Sequence, residues 1–459
     1  MDRERAASLS EQVMLDFIQM QAFREDPLVI DDANGVRVRD IDGKRYIDGM
    51  SGIFVVNLGH GRTEIIDAMS DQLRKVAFVP QLGTSVPELE LADLLVQMTP
   101  PRYTRVKFFS GGSETTEAAI KMSRQYHKQT GNPGKFKVMS HNRGYHGATG
   151  FALAATGWPH LRGPFEPYAP GFLRMLTPDS YHPLFNVPPD ELCATYLRLV
   201  EETIQMEGPD TIAAIIIEPV LMSAGIIVPP AGYLAGLRAI ADRYNITFII
   251  DEVITGFGRT GKLFCWQHSD AEPDLFCCGK GMSGGYAPLS ALIISDHIGK
   301  AFWGEGPDKV QFHAGHTFAG NPVACAAGLA ALRFMTESGA LDNGAEVGAY
   351  LRNRLVALAA DHETIGDVRG MGMMLGLEFV TSRDTRERFA DSVNFGLRLQ
   401  AEARTRGLLL RSSAWFTAIA PPLTTTEAEA DEIVAILDAS LYAVEASLGL
   451  ARQAVGAAR

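Results

Sequence analysis

The sequence predicts an α/β protein with a mostly parallel sheet covered by helices on both faces and a smaller α/β unit appended to it. Two observations lead there. From about Arg105 to Ile294, short apolar runs (Val106-Lys107-Phe108-Phe109, Ile212 to Ile217, Ile246 to Ile250, Leu289 to Ile294) alternate with helical patterns such as Leu234 to Tyr244, the order in which strand-helix-strand units build a parallel sheet. The chain also has 459 residues, 46% of them hydrophobic, which exceeds one typical domain and supports a large core.

Taken in order, residues 1–55 read as an N-terminal arm and hairpin, because Val36 to Asp48 alternate in character around Asp42-Gly43, a two-residue turn signal. Residues 56–321 hold the alternating pattern and form the large domain. Beyond Pro322 come long helices, a strand-like Met373 to Val380, a helix through Arg404, the run Gly407 to Arg411 and a final helix, so residues 322–459 are expected to form the smaller domain together with the N-terminal segment. Neither an internal repeat nor a low-complexity linker separates these parts.

A net charge of −12 and a pI near 5.4 offer no basic stripe for nucleic acid or an anionic membrane. The start, Met1-Asp2-Arg3-Glu4-Arg5, carries acids and lacks an apolar stretch, and no apolar run reaches the roughly 18 residues that span a bilayer. A cytoplasmic protein is expected. The five cysteines (Cys193, Cys265, Cys277, Cys278, Cys325) include no C-x-x-C pair, which argues against a disulfide framework and a structural zinc site. His313 and His316 have ligand-like spacing but no acid or cysteine beside them, so no metal is expected.

Gly256-Phe257-Gly258-Arg259-Thr260-Gly261 matches G-x-G-x-x-G, and its extension to Lys262 matches the start of a P-loop. Leu263 stands where a P-loop needs Ser or Thr, and Pro273 leaves no room for the helix that a dinucleotide site requires. A better anion cradle is Ser110-Gly111-Gly112-Ser113-Glu114, which follows a strand and opens a helix running to about Gln129. First-turn N–H groups, glycines permitting close approach and the Ser113 hydroxyl suit a phosphate, although an ordinary helix cap reads the same way.

Further on, the strand Thr247-Phe248-Ile249-Ile250 ends in Asp251, and a lone lysine sits in Cys277-Cys278-Gly279-Lys280-Gly281. A carboxylate at a strand end and one amine in a small-residue turn are what pyridoxal 5'-phosphate chemistry requires: the amine captures the aldehyde, and the carboxylate keeps the pyridine nitrogen protonated. Singly, Asp251 also suits a loop cap, but a lysine among Cys, Gly and Met is costly to bury without a partner.

Over essentially its full length the chain resembles the class III aminotransferases of pyridoxal phosphate fold type I. The matching segments are Asp48-Gly49-Met50-Ser51-Gly52, Ser110-Gly111-Gly112-Ser113-Glu114, Tyr145-His146-Gly147, Glu218-Pro219-Val220, the run Asp251 to Gly261, Lys280, His316-Thr317-Phe318-Ala319-Gly320-Asn321-Pro322 and Pro421-Pro422. The resemblance implies that Lys280 is the Schiff-base lysine and that Asp251 pairs with the pyridinium. It implies further that Tyr145 stacks on one ring face, Val253 packs on the other, and Gly112 with Ser113 binds the phosphate. Thr317 would reach the phosphate of a neighbouring subunit, so a homodimer with a shared active site is expected, with a tetramer open. His146 and Glu218 are expected just behind these contacts.

The implied reaction moves an amino group from an amine or ω-amino acid donor to a keto acid by a ping-pong route. Arg411 lies before Pro421-Pro422 at the spacing of the family's carboxylate-binding arginine, whose planar fork suits a keto acid. In relatives acting on ornithine or 4-aminobutyrate a glutamate five residues after the Glu-Pro glutamate clamps that arginine; here the place is Ser223. An unclamped Arg411 could swing in for pyruvate and out for an amine lacking a carboxylate, the pattern of ω-amine:pyruvate aminotransferases. Phe54, where many such relatives carry tryptophan, is expected with Tyr145 and Trp158 to line an aromatic pocket. An aminomutase, decarboxylase or lyase would keep Lys280 and Asp251 equally, and a non-catalytic ligand-binding relative is the reading from a different class.

Overall fold

The computed structural model describes residues 1–450 apart from 81, 270 and 305–309. Near the N-terminus, β1 (Ile30–Asn34), β2 (Arg37–Asp40) and β3 (Arg45–Asp48) pair antiparallel in sequence. The expected hairpin is present, with a three-residue loop rather than two: the N–H of Asp40 meets the carbonyl of Lys44, and Gly43, at φ 84°, sits just before the chain re-enters the strand. A turn followed by a left-handed residue is the usual three-residue solution, and glycine adopts it without a Cβ penalty.

Seven strands form the main sheet: β4 (Tyr103–Phe109), β5 (Lys137–His141), β6 (Phe172–Met175), β7 (Ile212–Ile217), β8 (Thr247–Asp251), β9 (Leu275–Cys278) and β10 (Ser290–Ser295), in the order β4-β10-β9-β8-β7-β5-β6. Only β10 runs against its neighbours; the other pairings are parallel. Every residue of β7, β8 and β9 is buried, as a sheet covered on both faces demands. One face is closed by the helix Gly112–Gln129, whose Ala118, Ala119, Ile120 and Met122 pack on Ile216, Ile249 and Leu292. The other is closed by the helices Leu192–Glu207 and Tyr233–Arg243, through Tyr196, Val200, Leu237 and Ile240.

The C-terminal part carries β11 (Ile365–Met371), β12 (Met374–Ser382), β13 (Glu387–Arg388), β14 (Leu408–Leu409), β15 (Arg411–Ser412) and β16 (Phe416–Ile419), followed by the helix Glu427–Ser447. Four of them form a sheet in the order β11-β12-β16-β15, and β13 pairs with β12. β14 instead joins β3 in parallel, Leu408 opposite Ile47, so the two ends of the chain share one sheet. The glycine-rich loop read above as a nucleotide decoy runs into this junction. No long helix follows it; only the short turn Cys265–His268 does. Its Arg259 is fully buried, donating to the carbonyls of Met373, Ala420 and Pro421, to Ser51 Oγ and to Asn57 Oδ1.

Candidate active site

β4, β5, β7, β8 and β9 all point their C-terminal ends the same way, and a cavity of about 660 Å³ opens beyond those ends, where open α/β sheets place ligands. Asp251 ends β8 and Lys280 follows β9. Glu218 follows β7, and the loop Asn142–Gly147 follows β5. Gly112, Ser113, Tyr145, His146, Trp158, Glu218, Asp251, Val253, Lys280 and Arg411 all line this one space.

Asp251 is oriented from two sides. Its Oδ1 accepts the N–H of Val253 at 3.1 Å, and its Oδ2 lies 2.9 Å from His146 Nδ1. A carboxylate only accepts, so the imidazole proton resides on Nδ1. Both side chains are nearly inaccessible, so the pair is held in place at the cavity floor. Lys280 has φ 46°, a left-handed conformation that disfavours every residue but glycine and concentrates at functional sites. Burial pushes its ammonium down to about 8, against the opposing pull of Asp251 and Glu218, so a usable fraction of the amine is neutral near pH 7.

Glu218 spans two loops, accepting the N–H of Tyr145 at 2.8 Å on one oxygen and that of Met222 at 3.2 Å on the other. Burial, with Asp251 adding to it, pushes its carboxyl up to about 8, so it is largely a neutral acid at neutral pH. It lines the cavity rather than lying behind it.

At the other end, the helix Gly112–Gln129 begins at the cavity wall with no side-chain cap, leaving first-turn N–H groups free of intrahelical partners. A Cβ on Gly112 would stand 2.8 Å from Val253 Cγ1, so glycine is what lets the backbone and Val253 share that corner. Ser113 Oγ accepts the N–H of Ala148 at 3.1 Å, and Glu114 Oε2 accepts that of Ser110 at 2.9 Å. The free first-turn N–H groups, the Lys280 amine and the Asp251 carboxylate fit pyridoxal 5'-phosphate: anion donors, an acid for a ring nitrogen and an amine for an aldehyde, all on one cavity.

Arg411, on β15, presents its guanidinium to the cavity, and no carboxylate lies within ion-pair distance of it among the described residues. Ser223, standing at the clamp position, is otherwise engaged: Trp158 Nε1 donates to its Oγ at 3.2 Å, and that hydroxyl donates to the carbonyl of Arg143 at 2.8 Å.

One expected pocket residue lies elsewhere. Phe54 is fully buried among Val220, Met374 and Ala418, and Ile53 lines the cavity in its place. Positive φ values at Gly52 (68°) and Phe54 (60°) swing the chain between them. Thr317, expected to reach the phosphate of a neighbouring subunit rather than this cavity, is exposed. Sequence reasoning missed Phe17, Met222, Thr116, Trp415 and Phe416, all of which line the cavity; Trp415, four residues beyond Arg411, is the one that proximity in sequence could have suggested.

A fold and a cavity of this kind define a pyridoxal phosphate-dependent transferase, and comparison with known proteins narrows the class. Residues 20–441 match the family model described as aminotransferase class-III. A probable aminotransferase of Mycobacterium tuberculosis is 37% identical over 94% of this chain and 93% of its own length. A taurine–pyruvate aminotransferase of Bilophila wadsworthia is 36% identical over 93% and 94%. Among solved structures, an (S)-enantioselective ω-transaminase from Thermomicrobium roseum superposes with a TM-score of 0.92 at 38% identity, covering 96% of this chain and 98% of that one. The chain belongs to the class III aminotransferases, and it is an enzyme that uses pyridoxal 5'-phosphate.

Proposed function

We propose that this aminotransferase takes the amino group of an amine or ω-amino acid and delivers it to pyruvate, alternating between the aldehyde and amine forms of its cofactor. The observation that carries this reading is the cavity's single unclamped guanidinium: Arg411 faces a space whose other walls include Trp158, Trp415, Phe416 and Ile53. A planar fork with no internal carboxylate is available to a keto acid and dispensable for an uncharged donor. The taurine–pyruvate relative, named for pyruvate, supports the same acceptor.

Pyridoxal phosphate, when bound, supplies an electron sink that spreads the negative charge developing on the donor carbon. The chain's own groups do the rest. Lys280, with its amine already made less basic by burial, holds and returns the proton at the donor carbon. Asp251, steadied by His146 Nδ1, is the acid that would pair with the ring nitrogen. Tyr145 and Val253 would flank the bound ring, and Gly112 and Ser113 would offer N–H donors to its phosphate.

Thr317 is exposed beside Phe318, 62% exposed, on a loop tied to the phosphate end of the cavity through His316 Nδ1, 3.4 Å from Glu114 Oε1. In this reading two copies pair so that Thr317 of each completes the other's phosphate site. No helix among the described residues is long and apolar enough to cross a membrane, and all five cysteines are free thiols, which supports a reducing, cytoplasmic setting.

The test is spectroscopic. Titrating the cofactor-loaded enzyme with alanine, β-alanine, 1-phenylethylamine and a diamine is expected to discharge its visible absorbance with at least one donor, and pyruvate is expected to restore it. Restoration by 2-oxoglutarate and not by pyruvate would overturn the acceptor assignment.

A further inference from the structure

A second cavity, of about 560 Å³, lies behind the substrate cavity. Arg143, His182, Arg386 and Arg388 line it with Asn142 and Thr177, and neither Asp nor Glu is among its lining residues. In a chain of net charge −12, a concavity whose every ionisable wall group is basic runs against the overall charge. The acids that balance it stand outside. Asp179 Oδ2 takes Arg143 Nη2 at 3.0 Å, and the fully buried Glu378 takes Arg388 Nε at 2.6 Å and His182 Nε2 at 2.5 Å.

This bracing uses one edge of each guanidinium and leaves donors over. Arg388 Nη2 is buried without a hydrogen-bond partner. Arg386 has no carboxylate in ion-pair distance among the described residues; its Nη1 donates to the carbonyl of Tyr181 at 2.7 Å and its guanidinium lies 5.0 Å from the Tyr181 ring centroid, while Nε and Nη2 make no hydrogen bond there. An oxyanion with several acceptor atoms is the ligand such forks match.

The same arginines hold the walls of the substrate cavity. The Arg388 guanidinium lies 3.8 Å from the Trp415 ring centroid, a stacked cation–π contact. The Arg143 carbonyl receives Ser223 Oγ, which in turn receives Trp158 Nε1. Both tryptophans that face the donor are therefore fixed from the second cavity.

We propose that this second cavity binds a small multivalent oxyanion, a phosphate or a dicarboxylate, and that its occupancy alters donor binding through Arg388 and Arg143. The experiment is calorimetric titration of the cofactor-loaded enzyme with inorganic phosphate, sulfate and succinate, on the native chain and on Arg386→Ala, Arg386→Glu and Arg411→Ala. Saturable binding that weakens at least about tenfold in both Arg386 variants, the loss of a charge-assisted donor, and persists in Arg411→Ala is expected. Preference for phosphate over succinate, or the reverse, separates the two sources. Arg386→Ala should fold and turn over normally, because its only hydrogen bond goes to a backbone carbonyl. Saturating anion should then change the donor KM of the native enzyme and leave that of Arg386→Ala unmoved. Binding by none of the three anions, binding indifferent to Arg386, or binding lost in Arg411→Ala would each overturn the site. An unchanged donor KM in the native enzyme at saturating anion would overturn the coupling.

Discussion

In the proposed reading Lys280 captures the cofactor aldehyde, and its titration then governs how fast the apoenzyme does so, because only a neutral amine attacks an aldehyde. A group titrating at about 8 is about one-tenth neutral at pH 7, whereas a lysine at its ordinary 10.5 would be neutral in about three molecules per ten thousand. Burial therefore raises the competent fraction roughly 300-fold at pH 7. Mixing apoenzyme with pyridoxal phosphate in a stopped-flow instrument and following visible absorbance from pH 6 to 10 should give a capture rate that climbs about tenfold per unit and levels off near pH 8. Arg411 pushes this lysine further down, so Arg411→Met is expected to move the plateau to higher pH and slow capture at pH 7. The linkage runs in the same sense. With its folded value below its unfolded one, Lys280 releases its proton earlier in the native apoenzyme, so apoenzyme stability should rise with pH between about 8 and 10.5. A capture rate still climbing tenfold per unit between pH 8.5 and 10 would refute the reasoning.

Arg411→Ala should raise the pyruvate KM by about 10- to 100-fold, the loss of a charge-assisted pair, and leave the half-reaction with 1-phenylethylamine within about twofold; equal damage to both half-reactions would mean that the arginine does not distinguish them. Gly112→Ala places a Cβ 2.8 Å from Val253 Cγ1 and should weaken cofactor retention on dialysis, with the double variant Gly112→Ala/Val253→Ala recovering much of it if that contact is the cause. Arg259→Met removes the donor shared by the carbonyls of Met373, Ala420 and Pro421 and strands those acceptors in the core. A loss of about 3–5 kcal/mol in urea unfolding is expected, and a loss below about 1 kcal/mol would show that water or rearrangement replaces the clasp.

Much of the large sheet was legible because its strands are runs such as Ile212 to Ile217, buried on both faces, which no amphipathic helix imitates. Asp251, Lys280 and the Gly112-Ser113 turn were legible because chemistry constrains residue type and position relative to strand ends at once. The remaining cavity wall was not. Phe17, Trp415 and Phe416 come from loop and edge segments whose facing follows no period, and Phe54 changed places with Ile53 because of two positive φ angles at Gly52 and Phe54 that residue type alone does not reveal. Glu218 was visible as a motif residue, but its bonds to the N–H groups of Tyr145 and Met222 depend on two loops meeting in space. Arg259 shows the reverse difficulty: the glycines around it imitate a nucleotide loop, while its five partners lie more than 100 residues away in the sequence.

The parallel pairing of Leu408 with Ile47 has a consequence for the order in which the molecule is born. At about 5–20 residues per second, the ribosome needs roughly 20–70 seconds between releasing the one and releasing the other. Throughout that interval β3 presents an unpaired edge beside an already plausible hairpin, the kind of template that recruits strands from other nascent chains. The large sheet, whose strands all precede residue 296, is complete well before that edge is covered, and Arg411 arrives only with the segment that covers it. A chain released early would thus keep the lysine and aspartate of the cavity while lacking the arginine proposed to select its acceptor, so in that reading completion of synthesis and acquisition of specificity coincide.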